Sequence, residues 1–152
     1  MRKQTLRIPK IRNEIWLNDV NGYGSTNNKI RRWSNVNRTI GRAMTLTQDG
    51  TNGDTITINE SGIYSIHYTD ALAATGMMGV SKNSSQLTTA VNSITQTDLL
   101  TAGQNGSDTT LAHCSVTTWL NSGDVIRAHT DGSNATAAGN ESRSVFIIIK
   151  VR

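Results

Sequence analysis

Gly62-Ile63-Tyr64-Ser65-Ile66-His67-Tyr68-Thr69 alternates between residues that favour burial and residues that tolerate water. A period of two sets Tyr64, Ile66 and Tyr68 on one side of an extended chain and Ser65, His67 and Thr69 on the other. That is the pattern of a strand with one face in a core. Similar short runs lie outward in both directions, over residues 29–33, 38–47, 55–59, 77–82, 85–94, 111–120, 125–130 and 144–151. Between them stand clusters that tolerate positive φ or form Asx turns, such as Asp49-Gly50-Thr51-Asn52-Gly53-Asp54, Asn121-Ser122-Gly123-Asp124 and Asp131-Gly132-Ser133-Asn134. Turns recurring every 8–12 residues or so predict about eight to ten strands in an all-β sandwich joined by hairpins and crossovers.

The 152 residues match one domain, and only 36% are hydrophobic, with a single Phe. So thin a core points to apolar burial supplied by neighbouring subunits, and hence to an oligomer. The run Val145-Phe146-Ile147-Ile148-Ile149 is apolar without alternation, which requires both of its faces to be covered. It therefore reads as a central C-terminal strand, one face in the sandwich and the other against a second subunit or an arm. Tyr64, Ile66, Tyr68, Trp119, Phe146 and Ile148 are the candidates for the core and the subunit interface.

The net charge of +4 conceals a division. Ten of the fifteen basic residues fall within residues 1–43, opposed there by Glu14 and Asp19 alone, so the remainder of the chain is net acidic. Residues 1–28 read as an extended N-terminal arm, with Pro9 breaking any helix and Asn21-Gly22-Tyr23-Gly24-Ser25 as a hinge, and residues 29–152 as the folded domain. In the arm, Arg2, Lys3, Arg7 and Arg12 supply attraction to an acidic surface, while Leu6, Ile8, Ile11, Ile15, Trp16 and Leu17 supply apolar contact.

Chemistry is poorly served by this sequence. His113 and Cys114 are consecutive in a strand and point to opposite faces, so they cannot share an ion; no zinc spacing occurs, and no metal or other cofactor is expected. No nucleophile elbow or phosphate loop can be read, which predicts a protein that is not an enzyme. Residues 49–54 read as a hairpin tip rather than a calcium loop. Arg31-Arg32-Trp33 joins charge to an aromatic face, but one such cluster lacks the series of stacking platforms that single-strand binders use, so nucleic acid is disfavoured as a partner. No apolar stretch has the length of a membrane span and no secretory signal is visible, so no membrane partner is expected.

Gly62-Ile63-Tyr64-Ser65-Ile66-His67-Tyr68 resembles the Gly-x-Tyr-x-apolar strand of the trimeric jelly rolls of the complement-head and tumour-necrosis-factor-like families. Val80-Ser81-Lys82-Asn83 resembles their strand leading into an Asn-containing hairpin. Leu120-Asn121-Ser122-Gly123-Asp124-Val125-Ile126 resembles their Leu-x-x-Gly-Asp-x-apolar turn, and a terminal apolar strand follows in the same order. The chain departs from them in lacking Phe-x-Gly in the last strand. Upstream, Ile15-Trp16-Leu17 and the stretch from Asn21 to Trp33 resemble a segment of small tailed-phage virion proteins. Together the resemblances imply a homotrimeric jelly-roll capsid decoration or head-fibre protein, made in the host cytoplasm and held on the capsid surface by its arm, with the major capsid protein as partner. The alternative they leave open is a trimeric fibre-tip or tail-tip module that binds a host receptor or surface glycan.

Overall fold

The computed structural model describes residues 12–18, 29–72, 75–106, 111–132 and 144–152. Its strands, in chain order, are β1 (Glu14–Asn18), β2 (Asn35–Ile40), β3 (Met44–Thr47), β4 (Thr55–Ile58), β5 (Gly62–Ala71), β6 (Met77–Lys82), β7 (Leu99–Gln104), β8 (Leu111–Leu120), β9 (Val125–Thr130) and β10 (Val145–Lys150). They form two five-stranded sheets, β2-β1-β10-β5-β8 and β3-β4-β9-β6-β7, and neighbouring strands are antiparallel. This is the expected jelly-roll sandwich, and β10 is the central strand of its sheet.

Alternation fills the space between the sheets. Ile15, Leu17, Tyr64, Ile66, Tyr68, Phe146 and Ile148 from the first sheet meet Ile56, Ile58, Met78, Val80, Ile126 and Ala128 from the second. Trp33, reaching in from the chain before β2, stacks edge-on against Tyr68 with ring centroids 5.9 Å apart, and Tyr68 meets Phe146 at 5.6 Å. The sandwich closes at one side where β7 approaches β8 so tightly that a Cβ at Gly103 would collide with the carbonyl oxygen of His113. Any larger residue there would push the two sheets apart.

Four expectations from the sequence need correction. First, Ile15 and Leu17 are not contacts on a free arm: each is 1% exposed in the core, because β1 lies between β2 and β10. The sandwich therefore begins well before residue 29, and the 1–28/29–152 division does not hold. Of the other arm residues, Trp16 lies on the outer side of β1 and Arg12 pairs with Glu14 at 2.6 Å. Arg2, Lys3, Leu6, Arg7, Ile8, Ile11 and the hinge at Asn21–Ser25 lie outside the described residues.

Second, the run 38–47 is two strands in different sheets, divided at Gly41, whose φ of +81° turns the chain. The Asn13 side-chain oxygen accepts the backbone N–H groups of Arg42 and Ala43 at 3.0 and 3.1 Å and holds that corner. Third, residues 85–94 form turns and a short 3-10 segment at Val91–Ser93, and the strand of this region is β7, farther on. Fourth, residues 29–33 form no strand: Ile30 and Arg31 are isolated bridge residues, Ile30 opposite His129, before Trp33 enters the core.

Candidate assembly face

The two sheets differ in what they turn outward. Over β6 and β9 the outer side is covered by the chain itself. Val91, fully buried, fills the space above Gly79, the Arg127 guanidinium donates to the Ser84 carbonyl at 3.2 Å, and His129 is within 2.8 Å of the Thr89 carbonyl oxygen. Toward the β3-β4 edge that side presents threonines, Thr45, Thr47, Thr55 and Thr57.

The β2-β1-β10-β5-β8 sheet carries no such cover among the described residues. Its outer side sets Ile147 and Ile149 of β10, half-buried in the single chain, beside Ile63 and Trp16. Of the exposed large hydrophobic residues described, Ile40, Leu111, Trp119 at 58% exposure and Val151 stand on this outer side, while Val36, opposite Leu17, is exposed at the edge of the inner side. A row across the sheet runs Trp16, Ile147, His67, Ser115, and the next runs Asn18, Val145, Thr69, His113. An aliphatic stripe along β10 is thus flanked by a stripe of hydroxyls and imidazoles on β5 and β8. Thr117 donates to Ser65 at 3.4 Å, Ser65 lies 3.1 Å from His67 Nε2, and Thr69 lies 3.2 Å from His113 Nδ1.

Among the described residues, the charged side chains of this face lie on its β1-β2 side. Glu14, buried, is held between Arg12 at 2.6 Å and Arg38 at 3.7 Å, and the Arg38 guanidinium stands 5.6 Å from the centre of the Trp16 ring. At the far end Lys150 reaches Glu60 at 2.8 Å, which holds the Glu60 carboxyl below its ordinary range. Among the described residues, the centre, over β10, β5 and β8, sets no Asp, Glu, Lys or Arg side chain outward.

Of the interface and core candidates, Tyr64, Ile66, Tyr68, Phe146 and Ile148 all face inward and are at most 1% exposed, so they are core alone. Trp119 is the reverse. It is exposed at the end of β8, its indole N–H donating to the Asn121 side chain at 3.0 Å. Ile147 and Ile149 belong to the apolar run whose second face the sequence set against a subunit or an arm, and strict alternation about Phe146 and Ile148 puts them on the outer side; Ile63 was not singled out.

The other chemical candidates are scattered. Cys114 is buried on the inner side of β8 and His113 is exposed on the outer side, and burial pushes the Cys114 thiol up to about 12. His129 belongs to the opposite sheet. Its imidazole is fully buried between Ser81 and Thr89, and burial holds its pKa below the ordinary value. Among the described residues no three His, Cys, Asp or Glu side chains are grouped to hold a metal. Asp49 and Asp54 serve the loop: Asp49 accepts from the backbone of Thr51 and Asn52, and Asp54 from the backbone of Trp33 and Asp49. In Arg31-Arg32-Trp33, Arg31 is 1% exposed and paired with Asp70, while Trp33 is in the core, so the cluster presents no stacking surface.

No protein-family model and no curated protein sequence matches the chain. Solved structures do resemble it. A crystal structure of murine APRIL at pH 5.0 superposes with a TM-score of 0.64 at 13% identity over 93% of this chain and 100% of that one. A second murine APRIL structure, at pH 8.0, gives 0.64 at 15% over the same shares. The crystal structure of Pika GITRL gives 0.53 at 13% identity, covering 94% of this chain and 98% of that one. At such identities the likeness is one of fold, and the fold is a tumour-necrosis-factor-like jelly roll.

Proposed function

We propose that this protein is a non-enzymatic structural module that assembles as a homotrimer through the outer side of the β2-β1-β10-β5-β8 sheet. The carrying observation is the segregation of exposed apolar residues onto that one sheet, while the opposite sheet is covered by its own chain or polar. Five strands at about 4.8 Å spacing and six residues at about 3.4 Å make a face of about 24 by 20 Å. Corrugation makes its accessible area larger than that projection, of the order of the roughly 800 Å² that each partner contributes to a standard interface. An uncharged centre can be covered by a neighbouring copy without burying a formal charge of its own. Light scattering across a size-exclusion peak tests this: a mass three times that of the chain supports it, and a folded monomer at tens of micromolar overturns it.

The trimer's place, in this proposal, is on a phage capsid as a decoration protein, with the major capsid protein as partner and the basic, apolar segment before β1 as the attachment device. The support is the resemblance of Ile15-Trp16-Leu17 and of the stretch from Asn21 to Trp33 to virion proteins, together with the charge division. A fibre-tip or tail-tip module binding a host receptor or glycan is the second reading. Trp119, exposed beside Asn121, gives such a ligand a stacking surface at one end of the sandwich. A quantified virion gel separates the two, since decoration requires many copies per particle and a tip only a few.

A further inference from the structure

We infer that the end row of the outer face, Val151, Ile63 and Trp119, is the seat of this chain's own N-terminal segment: residues 6–11 cross it with Leu6 and Ile8 turned toward the sheet. The inference does not depend on the trimer. It gives the segment that the attachment reading uses a resting place on its own subunit.

The row is apolar throughout. Ile63 lies opposite Trp119 across β5 and β8, and the Val151 N–H donates to the Ile63 carbonyl at 2.7 Å. Each of the three points outward, because its strand neighbours Tyr64, Leu120 and Ile148 point into the core. Trp119 is 58% exposed and Val151 43%. The indole is held in place: its N–H is bound by Asn121, whose own backbone N–H donates to the Asp124 carboxylate at 2.8 Å. A ring already fixed in the open loses little freedom when it is covered, so a contact made on it keeps most of the gain from burial.

The chain leaves the sheet beside this row. The Asn13 carbonyl accepts the Lys150 N–H at 3.0 Å, and the Asn13 side chain is fixed by the backbone of Arg42 and Ala43. Arg12 therefore stands at the Val151 end of the row. β5 begins at Gly62 and β8 ends at Leu120, so among the described residues no strand of this sheet runs past the row to pair with residues 1–11. From β1 to Trp119 on β8 there are three strand spacings, about 14 Å in all, which an extended chain at about 3.3 Å per residue covers in about four to five residues. Residues 6–11 are long enough.

The sequence of the segment suits the crossing. Leu6 and Ile8, two apart, fall on one side of an extended chain with Arg7 on the other, and Ile11 comes beside Val151 at the point of departure. A chain crossing strands makes no ladder of hydrogen bonds, and Pro9 has no N–H to leave unpaired. The row offers Arg7 and Lys10 no carboxylate, since Glu14 at its margin is engaged by Arg12 and Arg38, so the basic side turns to water.

The experiment is fluorine NMR of the full chain labelled with fluorotryptophan, with a soluble gadolinium chelate as the probe of exposure. The Trp119 signal is identified by its loss in Trp119→Phe. In the wild type it should be broadened by the chelate about as little as that of Trp33, which lies in the core. In the double variant Leu6→Ser/Ile8→Ser the broadening of Trp119 should rise several-fold, while Trp33 stays protected and so confirms the fold. Arg7→Ser/Lys10→Ser should leave Trp119 covered. Equal broadening of Trp119 in the wild type and in Leu6→Ser/Ile8→Ser overturns the proposal: high in both means an open row, and low in both means a cover other than residues 6–11. Labelled Leu6→Ser/Ile8→Ser chains are also refolded together with unlabelled wild type. Protection regained in that mixture assigns the cover to a neighbour's segment and overturns the seat on the chain's own sheet. Light scattering on the same samples scores the trimer separately.

Discussion

Asp70, on the inner side of β5, has no exposed surface, yet it is met by four donors: the Arg31 Nε at 2.7 Å, the Arg31 Nη2, the Tyr68 hydroxyl and the Ser144 hydroxyl at 2.6 Å. The network ties the segment before β2 to β5 and to the start of β10. No local pattern marks it, because Arg31 and Asp70 stand 39 residues apart and Arg31 is one of two adjacent arginines beside Trp33. Removing one partner of a buried pair leaves the other uncompensated, so Arg31→Met is expected to cost about 3–5 kcal/mol in a urea titration. Adding Asp70→Asn to that variant should restore a large part of the loss, since no buried charge is then left alone. His129 makes the second prediction at this scale. Burial, with Arg127 assisting and the Thr89 hydrogen bond opposing, lowers its pKa in the folded protein. The unfolded chain therefore binds the proton more readily. The contribution of neutral His129 to stability is present above its unfolded pKa of about 6.5 and is lost as pH falls through the lower folded value. Thermal melts at pH 7.5 and 5.0 should show a smaller acid loss in His129→Gln, from a lower starting stability, than in the wild type.

Among the elements, β5, β6, β8, β9 and β10 were legible because alternation or a continuous apolar run persists for six residues or more between turn residues. β4 was legible too, as the run over residues 55–59, and the others were obscured for identifiable reasons. β7, Leu99-Leu100-Thr101-Ala102-Gly103-Gln104, is neither alternating nor rich in β-branched residues, and tertiary pairing with β6 makes it a strand. β2 and β3 read as one run because Gly41 is a single turn residue, too little by itself to mark a turn. β1 was masked by the basic residues before it, although Ile15 and Leu17 at a spacing of two already carry the strand pattern. This strand decides where the chain can be cut. Deleting residues 1–11 should leave a folded, β-rich protein. Deleting residues 1–20 removes two core side chains, each worth about 1.5–3 kcal/mol, and unpairs β10 along one edge. The longer deletion is expected to be insoluble or unfolded by circular dichroism. A cooperatively melting 21–152 fragment would show that β1 is dispensable.

For the molecule as a whole, the deciding feature is that β10 is apolar on both sides, and the two sides serve different ends. Ile148 points into the sandwich and is fully buried, whereas Ile147 and Ile149 stand on the outer face. The composition anticipated this asymmetry only in outline: a low apolar share predicted subunit contacts, but the side of the sheet that makes them depends on where the chain folds back to cover the other. Adjacent substitutions separate the two roles. In Ile148→Asp a carboxylate enters the core opposite Ile66 and Ile15, without a partner, at a cost of several kcal/mol. That variant should fail to fold. In Ile147→Asp the carboxylate stays solvated in the single chain, so the monomer should keep its β spectrum and lose at most about 1 kcal/mol in a urea titration. In the trimer the same group would be desolvated beside Trp16, and assembly should fall by a hundredfold or more, since a few kcal/mol per site correspond to such factors. Should Ile147→Asp instead trimerise as the wild type does, the subunits must meet on some other surface.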